Sequence, residues 1–367
     1  MQLDQTYTSH RAWVQRFRGS VVEGRVVKIL IVYLATSATV FTSNWLGYIG
    51  VAGVNMIPAT LSQVLLIPLY IWYRNHRQQT KLSEQIRQRG KHTILLAVLL
   101  LFALALLIRI PAVLLLDMAY EKTPVVFLVV LTMVVLEGTD LSVFGFKTRK
   151  LGRALLLGFV YYLVYEVSFS AIGGSLVYAV IGQSVIVGYD PAPFMLTMPF
   201  MTFCVGISEE GLFRGYMQTH LNQVYSGRKA NLIQATLFGL WHFIWHVHPL
   251  DVPGMLFHIL YTFLIGLVFG YFYNKSHNLI PLILTHGLID SVTQGLILNE
   301  GALRLLRTFP LTTQLALEVV PFAISIIVTY ASTKFLIGKV WGPHNLAKIA
   351  RGPLASRHLG PLHPLKP

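Results

Sequence analysis

Long apolar runs alternate with short polar or basic segments along most of the chain. The apolar runs lie at about residues 27–43, 51–73, 93–116, 124–136, 154–187, 194–224, 229–247, 254–273, 279–297 and 311–337. Most are long enough for membrane helices, and at 154–187 we expect Gly173 and Gly174 to divide a membrane helix from a shorter re-entrant piece. The pattern predicts an all-α fold, a polytopic integral membrane helical bundle of about ten transmembrane segments.

The composition supports a membrane protein and argues against a nucleic-acid-binding protein. Of the 367 residues, 54% are hydrophobic and 12% are charged, about half the charged fraction of a soluble protein. The net charge of +14 comes mainly from Lys and Arg between the apolar runs, whereas the aromatic residues lie inside the runs. We therefore expect a partner in the lipid bilayer and no nucleic acid, which would need basic and aromatic residues interleaved on one face.

The basic segments indicate the orientation in the cell membrane. Residues 1–26 are basic and lack the apolar core of a signal peptide, and the strongest basic loop is 74–92. Residues 137–153 end in a further basic stretch, and the tail after 338 is basic and rich in proline. Placing all of these on one side is self-consistent, which predicts a multi-pass protein with both termini in the cytoplasm.

Two adjacent carboxylates stand in the middle of an apolar run, at Glu209 and Glu210, with Arg214 one helical turn later. Ionisable groups at membrane depth are costly unless they are paired, so they indicate a functional site by default. Glu210 and Arg214 are spaced to pair on one helix face, while Glu209 points about 100° away. One carboxylate is then structural and the other is available for chemistry, unless the group is only a satisfied ion pair.

Two further polar clusters follow on later apolar runs. His242 and His246 stand one helical turn apart, a spacing that can share a metal, although the H-E-x-x-H pattern is absent. His286 and Asp290 repeat the same spacing in the next but one run. Each pair alone could be an interhelical hydrogen bond. The single cysteine, Cys204, is expected to be a buried, inert thiol.

Helix geometry indicates whether these clusters can meet. Counting from a turn near 225–228 at 1.5 Å per residue, Glu209 and His242 lie at nearly the same depth, about 24 and 21 Å from the turn. His286 lies about 12 Å into its own span, closer to the cytoplasmic mouth. A carboxylate beside a histidine can deprotonate a water that attacks an amide carbonyl. A divalent metal such as zinc, held by Glu209, His242 and His286, would do the same by Lewis acidity, and the sequence leaves both mechanisms open.

The three motifs, in this order, resemble a known family. They are Glu209-Glu210-x-x-x-Arg214, Phe238-x-x-x-His242 and His286-x-x-x-Asp290 on successive apolar runs. This set is similar to the CPBP intramembrane proteases, which take in the CAAX-processing type II prenyl endopeptidases and the bacteriocin-processing or immunity (Abi) proteins. On this resemblance we divide the chain into accessory membrane helices (1–153), a catalytic membrane domain (154–300), a C-terminal span (301–338) and a disordered basic tail (339–367).

The resemblance implies roles for the polar residues and a substrate class. Glu209 would be the general base and His242 would complete the water site, with Glu210 and Arg214 supporting them. His286 and Asp290 would form the oxyanion site, where the prenyl-protein endopeptidases have Asn in place of Asp290. A charged Asp cannot donate a hydrogen bond, so it must be protonated, orient His286 or bind a metal. The implied substrate is a membrane-associated or lipidated protein or peptide.

Two other functions remain open at this point. A non-catalytic member of the family, acting as a membrane adaptor or immunity protein, would keep the fold and tolerate the loss of Glu209. A proton-coupled transporter would also bury Glu and His, but it should show broken helices in two repeated halves, and no such repeat is evident in the sequence.

Overall fold

The computed structural model describes residues 34–35, 38, 56–67, 70–71, 89–116 and 122–341. Nearly all of the predicted span at 27–43, part of 51–73, the basic residues 74–88 and the tail after 341 lie outside the described residues.

The described part of the chain is helical apart from two short strands. Its helices are α1 (Met56–Ser62), α2 (Lys91–Leu116), α3 (Lys122–Leu136), α4 (Leu151–Ile181), α5 (Pro191–Val224), α6 (Gly227–Trp241), α7 (Val252–Ser276), α8 (Ile280–Val292), α9 (Glu300–Arg307) and α10 (Leu311–Leu336). Five of these, α2, α4, α5, α7 and α10, are long and apolar enough to cross a membrane by length and composition. These five helices indicate a multi-pass membrane protein, as the sequence predicts.

The predicted number of spans is not reached in the described residues. Helices α6 and α8 have 15 and 13 residues, too few to cross a hydrocarbon core of about 30 Å at 1.5 Å per residue. Helix α6 ends at Trp241 because His242 begins a tighter 3₁₀ turn. Helix α8 starts inside the protein, since Asn278 and Leu279 just before it are fully buried.

Helix α4 corrects the prediction for residues 154–187. It continues without a break through Gly173 and Gly174 and ends at Gly182, whose φ of 70° forms the C-cap. A Cβ at Gly173 would make an ordinary van der Waals contact, 3.6 Å from the ring of Pro321 in α10, and a Cβ at Gly174 would have no neighbour within 4 Å. The two glycines therefore do not divide a membrane helix from a re-entrant piece.

A small antiparallel sheet joins the ends of α4 and α8. Strand β1 (Ile186–Tyr189) pairs with β2 (Leu296–Leu298), with Ile186 opposite Leu298 and Tyr189 opposite Leu296. The register shifts by one residue between Ile186 and Gly188, which marks a β-bulge. This sheet ties the chain before α5 to the chain after α8.

Helix α5 lies between two apolar clusters. One cluster combines buried side chains of α2, α3, α5 and α6, and the other combines those of α4, α7 and α8. Small residues bring α8 close to α5: a Cβ at Gly206 would lie 2.7 Å from the carbonyl oxygen of Ile283, and one at Gly287 would lie 2.6 Å from Cα of Thr202. Such close backbone contacts are the usual means of helix association in membranes, and here they bring the polar residues of α5 and α8 together.

Amide side chains connect α7 to its neighbours by hydrogen bonds to backbone carbonyls. Gln218 of α5 donates to Gly270, and Gln234 of α6 donates to Gly266, at 2.8 and 2.9 Å. Buried amides need such partners because an unsatisfied polar group is costly in an apolar interior. These bonds fix the register of α5 and α6 against α7.

A buried ionic cluster connects α5 to the residues before α2. Arg89 donates to both carboxylate oxygens of Glu137 at 3.1 Å, and the hydroxyl of Tyr216 donates to the same carboxylate at 3.0 Å. Nε2 of His220 lies 3.6 Å from it. Burial alone would raise the pKa of Glu137, but the nearby imidazole of His220 and the guanidinium of Arg89 lower it to about 2. The cluster thus holds an ionised carboxylate just beyond the end of α3.

Acidification should therefore weaken the fold through Glu137. Because its folded-state pKa is lowered, the carboxylate stabilises the protein fully above its ordinary pKa of 4.5, and that stability is lost as the pH falls towards about 2. We expect the Glu137→Gln variant to be less stable than wild type at neutral pH, with the difference shrinking across this interval. Thermal unfolding of both proteins in detergent at a series of pH values measures it, and a difference independent of pH would contradict the assignment.

Candidate active site

Helix α5 carries the two central carboxylates on an irregular backbone. The helix begins at Pro191, where the side chain of Asp190 accepts a hydrogen bond from the backbone N–H of Ala192 at 2.9 Å. Wider π-helical turns flank Glu209 at Met201–Gly206 and Glu210–Gln218. Such π turns are rare and frequently occur at functional sites. Glu209 and Glu210 are both buried.

The predicted pair of Glu210 and Arg214 is confirmed. The guanidinium of Arg214 donates to Oε1 of Glu210 at 3.1 Å, and neither side chain is exposed to solvent. Arg214 also lies over the ring of Phe238, 4.2 Å from its centroid. Oε1 of Glu210 accepts a second hydrogen bond, from Nδ1 of His286 at 2.8 Å. Oε1 of Glu210 therefore links Arg214 to His286, whereas its Oε2 is buried and has no hydrogen-bond partner among the described residues.

The carboxylate of Glu209 has two differently surrounded oxygens. Oε1 accepts from Nζ of Lys122 and, at 2.8 Å, from the indole N–H of Trp241. Oε2 is buried and has no hydrogen-bond partner among the described residues. It faces Nε2 of His242 at 3.7 Å and Nε2 of His286 at 3.5 Å. Both distances exceed a direct hydrogen bond, so Oε2 is the oxygen that a small ligand such as water could meet.

His242 is held so that one ring nitrogen faces Glu209. Its Nδ1 donates to the backbone carbonyl of Phe238 at 2.8 Å, and the two rings meet edge to face. A carbonyl can only accept, so the proton is on Nδ1 and Nε2 points towards Oε2 of Glu209. The expectation that Glu209 and His242 lie at one depth is confirmed.

His286 lies deeper than the spacing predicts. Its Nε2 is 3.5 Å from Oε2 of Glu209 and 3.4 Å from Oδ2 of Asp290, so it shares the site rather than lining a cytoplasmic mouth. The prediction placed the preceding turn at the membrane surface. In the structure Leu279 is buried and its N–H bonds to the carbonyl of Gly145, so α8 starts within the bundle.

A cavity of about 430 Å³ opens beside these groups. Its wall includes the charged and imidazole groups of Arg109, Lys122, Glu209, His242, His286 and Asp290. Apolar side chains such as Phe200, Phe269 and Ile289 complete it. An apolar pocket with a few convergent polar groups is the usual form of a binding or catalytic site.

Three residues of this site are absent from the sequence interpretation. Lys122 precedes an apolar run and would be read as an interfacial lysine, and Trp241 resembles any aromatic of a membrane helix. Arg109 is buried, lines the cavity and stacks on Trp241 with 4.4 Å to the ring centroid. Only tertiary packing brings these side chains to Glu209. The one signal in the sequence is that Lys122 borders an apolar run and Arg109 interrupts one.

The cavity lining does not include His246, Glu166 or Cys204. His246 turns away from His242 and bonds through Nε2 to Nδ1 of His258 at 3.1 Å. Glu166 accepts from the hydroxyl of Ser170 in its own helix at 2.6 Å. Cys204 is fully buried, as expected.

The donors do not form a recognisable metal centre. Among the described residues, no group of three or more His, Cys, Asp or Glu side chains is arranged to hold a metal ion. An ammonium group already contacts Oε1 of Glu209, which also disfavours a cation beside it. We therefore derive no step through zinc or another metal. Metal dependence stays a prediction, and activity after exhaustive chelation tests it.

Comparison with known proteins identifies one segment of the chain. Residues 191–292 match the family model for the Rce1-like type II CAAX prenyl endopeptidases. Neither a curated protein nor a solved structure matches the chain. The match begins at the first residue of α5 and ends at the last residue of α8, so it contains all three motifs. Over residues 191–292 the chain is therefore similar to the Rce1-like type II CAAX prenyl endopeptidases of the CPBP family.

Proposed function

We propose that the protein is an intramembrane endopeptidase that hydrolyses a peptide bond of a membrane-associated or lipidated protein or peptide. The observation that carries this proposal is the position of Glu209 Oε2, which faces the Nε2 atoms of His242 and His286 beside a cavity. Membership of the domain in a protease family supports the reaction class.

Glu209 acts as the general base. A water bound between Oε2 and Nε2 of His242 gives its proton to the carboxylate while its oxygen attacks the scissile carbonyl. Oε1 is engaged by Lys122 and Trp241, so the reacting oxygen is defined. The proton then passes to the leaving amine, and the water has supplied the new carboxylate, so no covalent enzyme intermediate forms.

His286 stabilises the oxyanion that develops on the carbonyl. Its Nδ1 bonds to Glu210, and its Nε2 has two carboxylates nearby, Glu209 and Asp290. A ring with acceptors on both sides is arranged to donate from both nitrogens, and a donor fixed in advance is effective in an apolar site. Asp290 orients His286 in this mechanism, which is one of the roles left open for an Asp at this position.

Comparative proteomics of membranes tests the proposed function. Cells produce either wild type or Glu209→Ala at matched protein levels, and new peptide N-termini are quantified by mass spectrometry. We expect fragments that depend on wild type, and their sequences would define the substrate class. Identical fragment sets, together with a cellular phenotype that Glu209→Ala still rescues, would favour a non-catalytic adaptor or immunity protein.

A further inference from the structure

We propose that Lys122, which lies outside the matched domain, is a positioning residue for the catalytic carboxylate. It binds one oxygen of Glu209 so that the other faces the water site. This inference rests on the proposed function and extends it: residues 191–292 do not hold the complete catalytic machinery, because α3 supplies a part of it.

The geometry of Lys122 is that of a buried group directed at the site. It is the first residue of α3, only 5% of it is exposed, and it lines the cavity. Its ammonium group contacts Oε1 of Glu209 and lies 5.2 Å from the centroid of the Trp241 ring. A lysine at a helix end in a membrane normally extends to the interface, so burial against a carboxylate needs a reason.

The two donors on Oε1 restrict the carboxylate to one orientation. Lys122 approaches from α3 and Trp241 from α6, whereas the histidines face Oε2. A partial rotation of the carboxylate would break both hydrogen bonds on Oε1, and only a half turn, which exchanges two equivalent oxygens, restores the same arrangement. Catalytic groups lose much of their effect when they are misplaced by about 1 Å, so an orientation held from two helices contributes directly to the rate.

The two adjacent carboxylates have separate cations. Glu210 pairs with Arg214 from its own helix, and Glu209 pairs with Lys122 from another. Neighbouring carboxylates that lack such cations tend to share a proton, and a protonated Glu209 could not act as a base. Because each carboxylate has its own cation, Glu209 stays ionised and can accept a proton, while Glu210 orients His286.

A purely structural ion pair gives the alternative reading of the same contact. In that case Lys122 only attaches α3 to α5, and its removal lowers stability without a specific effect on turnover. Steady-state kinetics of reconstituted protein therefore separate the two readings. We expect Lys122→Met to lower kcat by roughly 10²-fold with KM changed little, and Lys122→Arg to restore a part of kcat. Lys275→Met, an exposed lysine at the end of α7, is the matched control.

Chemical rescue by a small amine distinguishes a positioning role of Lys122 from a purely structural one, because a structural role predicts no rescue of kcat. Lys122 lines the cavity, so removing its side chain in Lys122→Ala opens space for a small amine. We expect methylammonium to raise kcat of this variant about tenfold or more. Tetramethylammonium, which has the same charge but no N–H donor, should not. No rescue, with Lys122→Met at wild-type kcat, would overturn the inference while leaving the proposed function intact.

Thermal unfolding tests the ion pair independently of activity. The double variant Lys122→Met/Glu209→Gln removes both charges and leaves neither stranded, so it should unfold at a higher temperature than Lys122→Met alone. Additive effects of the two changes would show that the ion pair is absent and would refute the inference. If the wild-type protein cleaves no peptide, the proposed function is refuted, and the proposed role of Lys122 is refuted with it.

Discussion

Replacing Glu209 by Gln is expected to lower kcat for peptide cleavage by roughly 10²- to 10⁴-fold, the usual contribution of a general base. The amide has nearly the same shape and keeps an oxygen for Lys122 and Trp241, but it cannot accept the proton of the attacking water. Since substrate binding depends on the rest of the cavity, KM should change little. Steady-state kinetics on a peptide from the membrane proteomics measure both quantities.

Glu166→Gln is the control for this prediction. Glu166 is also a carboxylate of a candidate membrane-spanning helix, but its partner is Ser170 and it does not line the cavity. We expect wild-type kinetics for this variant. Equal losses in the two variants would indicate a general effect of removing membrane carboxylates, and full activity of Glu209→Gln would exclude Glu209 as the base.

Replacing Arg214 by Met should have the largest effect on stability. The change leaves the carboxylate of Glu210 buried without its cation, and breaking a buried pair in this way costs about 3–5 kcal/mol. We expect a low yield of folded protein and a lower midpoint of thermal unfolding in detergent. Activity should fall as well, because Glu210 also holds Nδ1 of His286.

The double variant Glu210→Gln/Arg214→Met tests the cause of this loss. Removing both charges avoids the stranded carboxylate, so a part of the lost stability should return. Wild-type stability of Arg214→Met would show that the pair contributes nothing to folding. A double variant with no more stability than Arg214→Met would show that the loss comes from the missing packing of the guanidinium on Phe238 and not from the stranded carboxylate.

The sequence predicts those parts of the site that depend on distances along one helix or on equal depth in two. Glu210 and Arg214 pair because they are one turn apart, even though the backbone between them is π-helical. Glu209 and His242 meet because two antiparallel segments of similar length lead away from one turn. In both cases the helical rise per residue is enough to predict that the two side chains meet.

The remaining features depend on tertiary contacts that have no local signal. Lys122 reaches Glu209 only because α3 packs beside α5, and His286 reaches it only because the turn at Asn278 is buried inside the bundle. The continuity of α4 through Gly173 and Gly174 likewise has no signal in the apolar pattern. Apolar patterning describes each helix separately and cannot supply such pairings.

The purified wild-type chain, reconstituted alone in liposomes, should cleave its substrate without any other protein. The substrate is one of the proteins whose fragments depend on Glu209 in cells, and its new N-termini are determined by mass spectrometry. We expect one defined new N-terminus with wild type and none with Glu209→Gln. A substrate that binds the wild-type chain but stays intact would contradict it and would identify the domain as a binding protein.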